Sequence, residues 1–113
     1  MKIYHNPKCR KSQQTLELIR QSGLEPEIVE YLKTPPSVTE LTSILAMLNM
    51  EPDELMRTGE LIYKQLDIGN MDISREEKIA LMVEHPKLIE RPIVVKGNQA
   101  IIGRPPETVQ TLL

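Results

Sequence analysis

The first third of the chain alternates between strand-like and helix-like patterns, and this alternation limits the possible folds more than any other feature. Residues 1–4 predict a short strand that ends at the turn signal His5-Asn6-Pro7. Residues 11–22 predict a helix, with a shared face that holds Thr15, Leu16, Ile19 and Ser22. Residues 27–32 predict a second strand. Strand, helix and strand within about 30 residues form a βαβ unit with parallel strands and a right-handed crossover.

Residues 37–90 are predicted to be helical. Capping boxes at 37–40 and 74–77 mark the starts of two helices, each followed by apolar residues at helical spacing. Two shorter helical pieces are predicted between them, at 52–57 and 60–66. The middle of the chain is therefore interpreted as a helical insertion.

The last part of the chain predicts two more strands and a helix. Residues 92–95 and 100–102 are short apolar runs on either side of a turn, which indicates an antiparallel hairpin. Residues 105–113 predict a closing helix that buries Val109, Leu112 and Leu113. The order β-α-β, helical insertion, β-β-α is that of a thioredoxin-like α/β fold with a mixed four-stranded sheet. We expect one domain over residues 1–113, with the insertion at about 37–90.

Composition excludes several functional classes. A net charge of −2 argues against broad nucleic-acid binding, and the longest uncharged stretch, residues 41–50, is too short to span a membrane. One cysteine cannot form an internal disulfide, and together with two histidines it cannot complete a closed zinc site. We expect a cytoplasmic monomer with no bound metal or cofactor.

The single cysteine, Cys9, lies where the first strand has ended and the first helix begins. A helix N-terminus and neighbouring cations both favour the thiolate, which is the nucleophilic form, and Lys8, Arg10 and Lys11 flank Cys9. Ser12 is placed to donate a hydrogen bond to that thiolate. The backbone nest that steadies a thiolate also suits a tetrahedral oxyanion.

A buried, inert cysteine is the alternative, but the charged flanking residues favour a reactive thiol. Spacing argues against two related chemistries. Ser12 stands where a Cys-x-x-Cys pair has its second cysteine, and Thr15 stands where a Cys-x5-Arg phosphatase loop has arginine. An external thiol is therefore needed to resolve any adduct on Cys9.

The segment His5-Asn6-Pro7-Lys8-Cys9-Arg10-Lys11-Ser12 resembles the glutaredoxin-coupled arsenate reductase (ArsC-type) family. The resemblance continues, in family order, at residues 30–36, 55–57, 84–89, 91–95 and 103–107. Together these segments cover almost the whole chain. Arg10-Lys11 and Gln13 depart from the family pattern, which has small residues after the cysteine and arginine after the serine.

The resemblance implies a role for each matching position. Cys9 is the expected nucleophile and His5 tunes its ionisation, although a structural role for His5 is equally open. The oxyanion-binding arginines are expected to be Arg57, Arg91 and Arg104, although a surface ion pair is the commoner fate of any single arginine. Supporting roles are implied for Asn6, Ser12 and Pro92, the last in a cis peptide with Arg91.

The implied activity is reduction of arsenate to arsenite through a covalent Cys9 adduct, with glutathione as the reducing co-substrate and glutaredoxin as the partner. Two alternatives are kept open. One is a redox-linked regulatory protein of the same fold that binds RNA polymerase through the helical insertion. The other is a thiol reductase that acts on a substrate other than arsenate.

Overall fold

The computed structural model describes all residues from Met1 to Leu113 and divides the chain into two compact units. The first, called here the sheet unit, consists of Met1–Thr34 and Arg91–Leu113. The second, the helical unit, consists of Pro35–Glu90. The helical unit coincides with the predicted insertion to within two residues. A single domain over residues 1–113 stays a prediction.

The sheet unit contains four strands, and their pairing confirms the predicted thioredoxin-like fold. The strands are β1 (Lys2–His5), β2 (Glu27–Glu30), β3 (Ile93–Lys96) and β4 (Gln99–Ile102), in the spatial order β2-β1-β3-β4. β1 pairs in parallel with β2, as the βαβ pattern predicts, and β3 is antiparallel to both β1 and β4. The sheet is therefore mixed, because a βαβ unit and a hairpin meet along β1 and β3.

Two helices complete the sheet unit: α1 (Arg10–Gln21) and a closing 3-10 helix (Pro106–Leu112). Their apolar faces contribute to one buried cluster with strands β1 and β3, formed by Ile3, Leu16, Ile19, Val94, Val109 and Leu112. One predicted core position is wrong: Leu113 is 40% exposed, because the closing helix ends at Leu112. Ser22, predicted on the same helix face as Leu16, is exposed because it lies beyond the last turn of α1.

The helical unit contains the α-helices α2 (Val38–Leu48), α3 (Pro52–Leu55), α4 (Leu61–Gln65) and α5 (Arg75–Glu84), with 3-10 turns at Ile68–Asn70 and Pro86–Leu88. Side chains start the two longer helices. The Ser37 hydroxyl accepts the Glu40 N–H, and Ser74 and Glu77 form a complete capping box. No helix in either unit is both long enough and apolar enough to span a membrane.

Candidate active site

Cys9 occupies the N-cap position of α1, immediately after the loop that follows β1. Its backbone is extended (φ −97°, ψ 122°), and its side chain makes no capping hydrogen bond. The residue is only 9% exposed. The amides of Arg10, Lys11 and Ser12 begin the helix, where N–H groups have no carbonyl acceptor within the helix. The thiol therefore stands where an N-cap oxygen would normally meet these donors.

Asn6 holds the loop in shape through both its main chain and its side chain. The Asn6 carbonyl accepts the Cys9 N–H at 3.0 Å, and the Asn6 Oδ1 accepts the Lys8 N–H at 3.0 Å. From the first turn of the helix, the Gln13 Nε2 donates to the Pro7 carbonyl. These bonds give the sequence-predicted Asn6 a definite part in positioning Cys9. They add Gln13, which the sequence analysis noted only as a departure from the family pattern.

His5 and Ser12 form a buried polar pair behind the loop. Ser12 is fully buried and His5 is 7% exposed, and the His5 Nδ1 lies 2.5 Å from the Ser12 Oγ. The Ser12 Oγ also accepts the Asn6 N–H at 3.1 Å. The Ser12 hydroxyl is thus engaged by His5 and Asn6, and no hydrogen bond joins it to the Cys9 thiol in this structure.

Burial sets the charge state of His5. It lowers the pKa of His5 below the ordinary value of 6.5, because the charged imidazolium loses its hydration in the interior. The Glu30 carboxylate opposes this effect, and the Arg20 guanidinium adds to it as the smallest contribution. His5 is therefore neutral at neutral pH, and one ring nitrogen is available as a hydrogen-bond acceptor.

Three cations surround the position of Cys9 in the sequence and lie on the surface. Lys8, Arg10 and Lys11 are all exposed, and none of them forms an ion pair. Their charges are therefore not neutralised within the protein. The helix start and this local positive charge together make the surroundings of Cys9 suited to an anion.

Arg91 and Arg104 are linked to each other in the sheet unit. The Arg104 Nε donates to the Arg91 carbonyl at 2.9 Å, and the Gly103 N–H donates to the Pro92 carbonyl at 2.9 Å. The Arg91–Pro92 peptide is cis, which confirms the prediction. The Arg104–Pro105 peptide is also cis. The sequence analysis did not predict this second cis bond, because the sequence around an X-Pro bond does not show whether the bond is cis or trans.

Gly103 joins this loop pair to helix α1. A Cβ at position 103 would lie 2.4 Å from the Thr15 Oγ1 and 2.8 Å from the Pro92 Cγ. Only glycine permits so close an approach between the end of β4, the cis proline and the first half of α1. Gly103 therefore brings the Arg91 and Arg104 loops next to the helix that carries Cys9.

Arg57 belongs to the helical unit, where carboxylates already surround it. Its Nη1 donates to the Glu60 Oε1, and its Nε lies 3.7 Å from the Glu90 Oε1. Its main-chain N–H donates to the Leu88 carbonyl at 2.7 Å. Glu60 could have been identified from the sequence, since it lies three residues after Arg57. The role of Arg57 in oxyanion binding stays a prediction.

Comparisons with known proteins show what the whole chain is similar to. The ArsC family profile matches residues 4–112. A Haemophilus influenzae protein named arsenate reductase is 47% identical over 112 residues, which cover 98% of this chain and 97% of that protein. The uncharacterised protein YfgD of Escherichia coli (strain K12) is 50% identical over 110 residues, covering 96% and 92% of the two chains.

Solved structures extend the similarity to three dimensions. The structure of an arsenate reductase from Vibrio cholerae superposes with a TM-score of 0.95 at 48% sequence identity, covering all of this chain and 98% of that one. The profile match spans both the Cys9 loop and the Arg91 and Arg104 loops. The chain belongs to the ArsC family.

Proposed function

We propose that the chain is a thiol-dependent arsenate reductase, with Cys9 as its nucleophile and with glutathione and glutaredoxin as its reductants. The observation that carries the proposal is the position of Cys9. It is the N-cap residue of α1, its side chain makes no capping hydrogen bond, and three cations without ion-pair partners flank it. A close relative named arsenate reductase supports the choice of substrate. A tetrahedral dianion suits such a site, because it is a strong acceptor for helix-terminal N–H groups and for guanidinium groups.

In the proposed first step, the Cys9 thiolate attacks arsenic and an As–O bond breaks, so that water leaves once the oxygen is protonated. Arg91 and Arg104 would neutralise the remaining oxygens, since guanidinium groups bind tetrahedral oxyanions through paired N–H donors. Arg57 would join them only after exchanging at least one of its carboxylate partners, Glu60 or Glu90, for the anion.

The second stage needs thiols from outside the chain, because Cys9 is its only cysteine. In the proposed sequence, glutathione attacks the arsenic adduct and displaces a second oxygen. The glutaredoxin thiolate then attacks the glutathione sulfur. A glutaredoxin–glutathione disulfide forms, the bond between arsenic and the glutathione sulfur breaks, and the electron pair of that bond stays on arsenic, which is reduced from the +5 to the +3 state. Hydrolysis of the Cys9–arsenic bond releases arsenite and returns the thiol.

The buried His5–Ser12 pair suits a supporting role in this cycle. The Ser12 oxygen already accepts the Asn6 N–H, so a proton on the His5 Nδ1 would fill its second lone pair. The hydroxyl proton of Ser12 would then be free to turn towards Cys9 when the thiolate forms. With the proton on Nε2 instead, the hydroxyl would donate to His5. We propose that this choice of tautomer couples His5 to the nucleophile.

The remaining features of the proposal concern the cell rather than the geometry. A cytoplasmic location fits a free thiol that must stay reduced between turnovers, and glutathione and glutaredoxin are available there. A monomeric state and independence from a bound metal or cofactor stay predictions.

The test is arsenate reduction by the purified protein with glutathione and glutaredoxin, compared with the Cys9→Ser and Cys9→Ala variants. Both variants should remain folded and lose all turnover, since no other residue can replace the thiol. Turnover by either variant would contradict the assignment of Cys9. Reduction of mixed disulfides without any reduction of arsenate would favour a thiol reductase with another substrate.

A second experiment tests the arginine clamp through arsenate binding measured by calorimetry. Arg91→Ala and Arg104→Ala should each weaken binding tens- to thousands-fold, because removing one partner of a bound charge costs about 2–5 kcal/mol. Arg20→Ala is the control, since Arg20 forms a solvent-exposed pair with Glu25 at 3.0 Å and its loss should leave arsenate affinity nearly unchanged. Equal affinity in the wild type and all variants would exclude the clamp.

A further inference from the structure

We infer that Lys8, Arg10 and Lys11 form a cationic rim that selects the reductant, favouring small thiols and disulfides that carry carboxylates. The inference rests on the proposed function in one respect only: Cys9 is the reacting thiol. It goes beyond that function by naming the residues that distinguish one reductant from another. Glutathione is one member of the favoured chemical class, because its two carboxylates outweigh its single ammonium group.

The rim differs from the ion-paired cations of the sheet unit. Lys2, Arg20 and Lys33 lie within 3.5, 3.0 and 3.7 Å of the carboxylates of Glu27, Glu25 and Glu30, respectively. Lys96 donates to the Leu112 carbonyl at 2.8 Å. In contrast, the three rim residues are exposed and form no ion pair. Three neighbouring cations without an ion-pair partner thus lie together at one place on this unit, around the nucleophile.

The sequence keeps acids away from the rim. Residues 1–16 contain four basic residues and no Asp or Glu. The rim residues lie within two positions of Cys9, so their field acts on a charged group attached to an approaching sulfur. Like-signed clusters of this kind raise the local concentration and the association rate of opposite charges by about 10- to 1,000-fold at low salt. Cationic reductants are disfavoured by the same field.

Thiol–disulfide exchange isolates this effect from arsenic chemistry. The Cys9 thiolate attacks one sulfur of a disulfide, a new S–S bond forms to Cys9, and the other half leaves as a thiolate. No oxidant or reductant is needed, and the number of disulfide bonds is conserved. The charge on the disulfide can be varied while the reacting sulfur atoms stay the same.

The experiment compares three disulfides: oxidised glutathione (anionic), hydroxyethyl disulfide (neutral) and cystamine (cationic). Mass spectrometry follows the rate of Cys9 mixed-disulfide formation in the wild type, in the triple variant K8Q/R10Q/K11Q and in the single variant K96Q. Lys96 is the matched control, because it follows Val95, which pairs with Lys2 at the end of β1 remote from Cys9. Any change in the intrinsic reactivity of the thiol should affect all three disulfides similarly, so the ratio of rates reports charge selection.

In the wild type and in K96Q, we expect the anionic disulfide to react at least about tenfold faster than the cationic one at low salt. In the triple variant, the ratio of the anionic rate to the cationic rate should fall about tenfold. Raising the salt from about 0.01 M to 1 M shortens the Debye length from about 30 Å to 3 Å and should reduce the wild-type ratio in the same way.

A ratio that is unchanged in the triple variant would overturn the inference. So would equal rates for all three disulfides in the wild type at low salt, because no charge selection would then exist. Neither result depends on arsenate. Absence of arsenate reduction with the charge preference intact would count against the proposed substrate, while the cationic rim would stand.

Discussion

The sheet unit and the helical unit carry opposite charge and use it differently. The sheet unit has nine Lys and Arg residues against five Asp and Glu, a formal charge of +4, whereas the helical unit has five against eleven, a formal charge of −6. In the helical unit, Arg57, Arg75 and Lys78 are paired with carboxylates. In the sheet unit, the cations next to Cys9 have no such partner.

The paired cations of the helical unit stabilise its structure, whereas the unpaired cations next to Cys9 can bind a ligand. Paired cations such as Lys78, 3.0 Å from the Asp53 carboxylate, connect neighbouring helices of the helical unit. Their fields are largely cancelled. The unpaired cations at Cys9 connect nothing within the protein, so their attraction is left for a ligand. The overall charge of −2 conceals both features.

The largest expected effect tests whether the two units are one folding domain. Ile19→Ala in the sheet unit and Leu45→Ala in the helical unit each truncate a fully buried side chain. Each should lower the free energy of unfolding by about 2–5 kcal/mol. If residues 1–113 form a single domain, each variant should accelerate amide hydrogen exchange in both units equally. Exchange that accelerates only in the mutated unit would show that the units unfold separately.

A smaller effect is expected at Gly103 in the sheet unit, whose Cβ position is crowded, whereas that of Gly59 in the helical unit is open. Gly103→Ala should lower the free energy of unfolding by about 1–3 kcal/mol, because the new methyl group would overlap Thr15 and Pro92. Gly59→Ala in the helical unit is the control, since nothing lies within 4 Å of its Cβ position. Urea unfolding of both variants provides the measurement. Equal stability of the two variants would mean that the sheet unit relaxes around position 103.

Helix capping provides the next comparison, since the helical unit depends on side-chain caps that α1 lacks. Ser74→Ala removes the capping box of α5 and should cost about 0.5–2 kcal/mol. Ser43→Ala, at an exposed position inside α2, should change stability by less than about 0.5 kcal/mol. Thermal unfolding of both variants is the measurement. A cost at Ser43 as large as that at Ser74 would contradict the capping explanation.

The smallest expected effect is the pH dependence contributed by His5. Because the folded-state pKa of His5 is below 6.5, the unfolded chain binds the proton more readily. His5 therefore favours the folded state fully above pH 6.5, and this contribution is lost as the pH falls through the folded pKa. Imidazole resonances followed by NMR should titrate below 6.5. Titration at or above 6.5 would mean that the Glu30 carboxylate outweighs burial.

Local sequence patterns predicted the sheet unit well because its signals are periodic. The βαβ pattern, the hairpin turn and the helix start at Cys9 all depend on residues close together in the sequence, and all were confirmed. The errors lie at element ends. The prediction extended β2 to residue 32, but the chain turns after Glu30, where the Glu30 carbonyl accepts the Lys33 and Thr34 N–H groups.

The sequence motif singled out the residues of the Cys9 loop, but not their long-range contacts. Cys9, His5, Ser12 and Asn6 lie within eight positions, and the motif alone indicated that they act together. The contacts of Gly103 with Thr15 and Pro92 join residues far apart in the sequence. No local pattern marks such contacts. The same holds for the Glu90 that approaches Arg57, because Glu90 is distant in the chain.

The N-cap position of Cys9 places stability and chemistry in competition at one residue. Serine or aspartate at an N-cap stabilises a helix by about 0.5–2 kcal/mol relative to a residue that cannot cap, and Cys9 makes no capping bond. A library selected for heat resistance alone should therefore accumulate serine or aspartate at position 9. The selected variants would have a more stable α1 but no nucleophile. A screen for thermostable variants of this protein must therefore also select for the thiol.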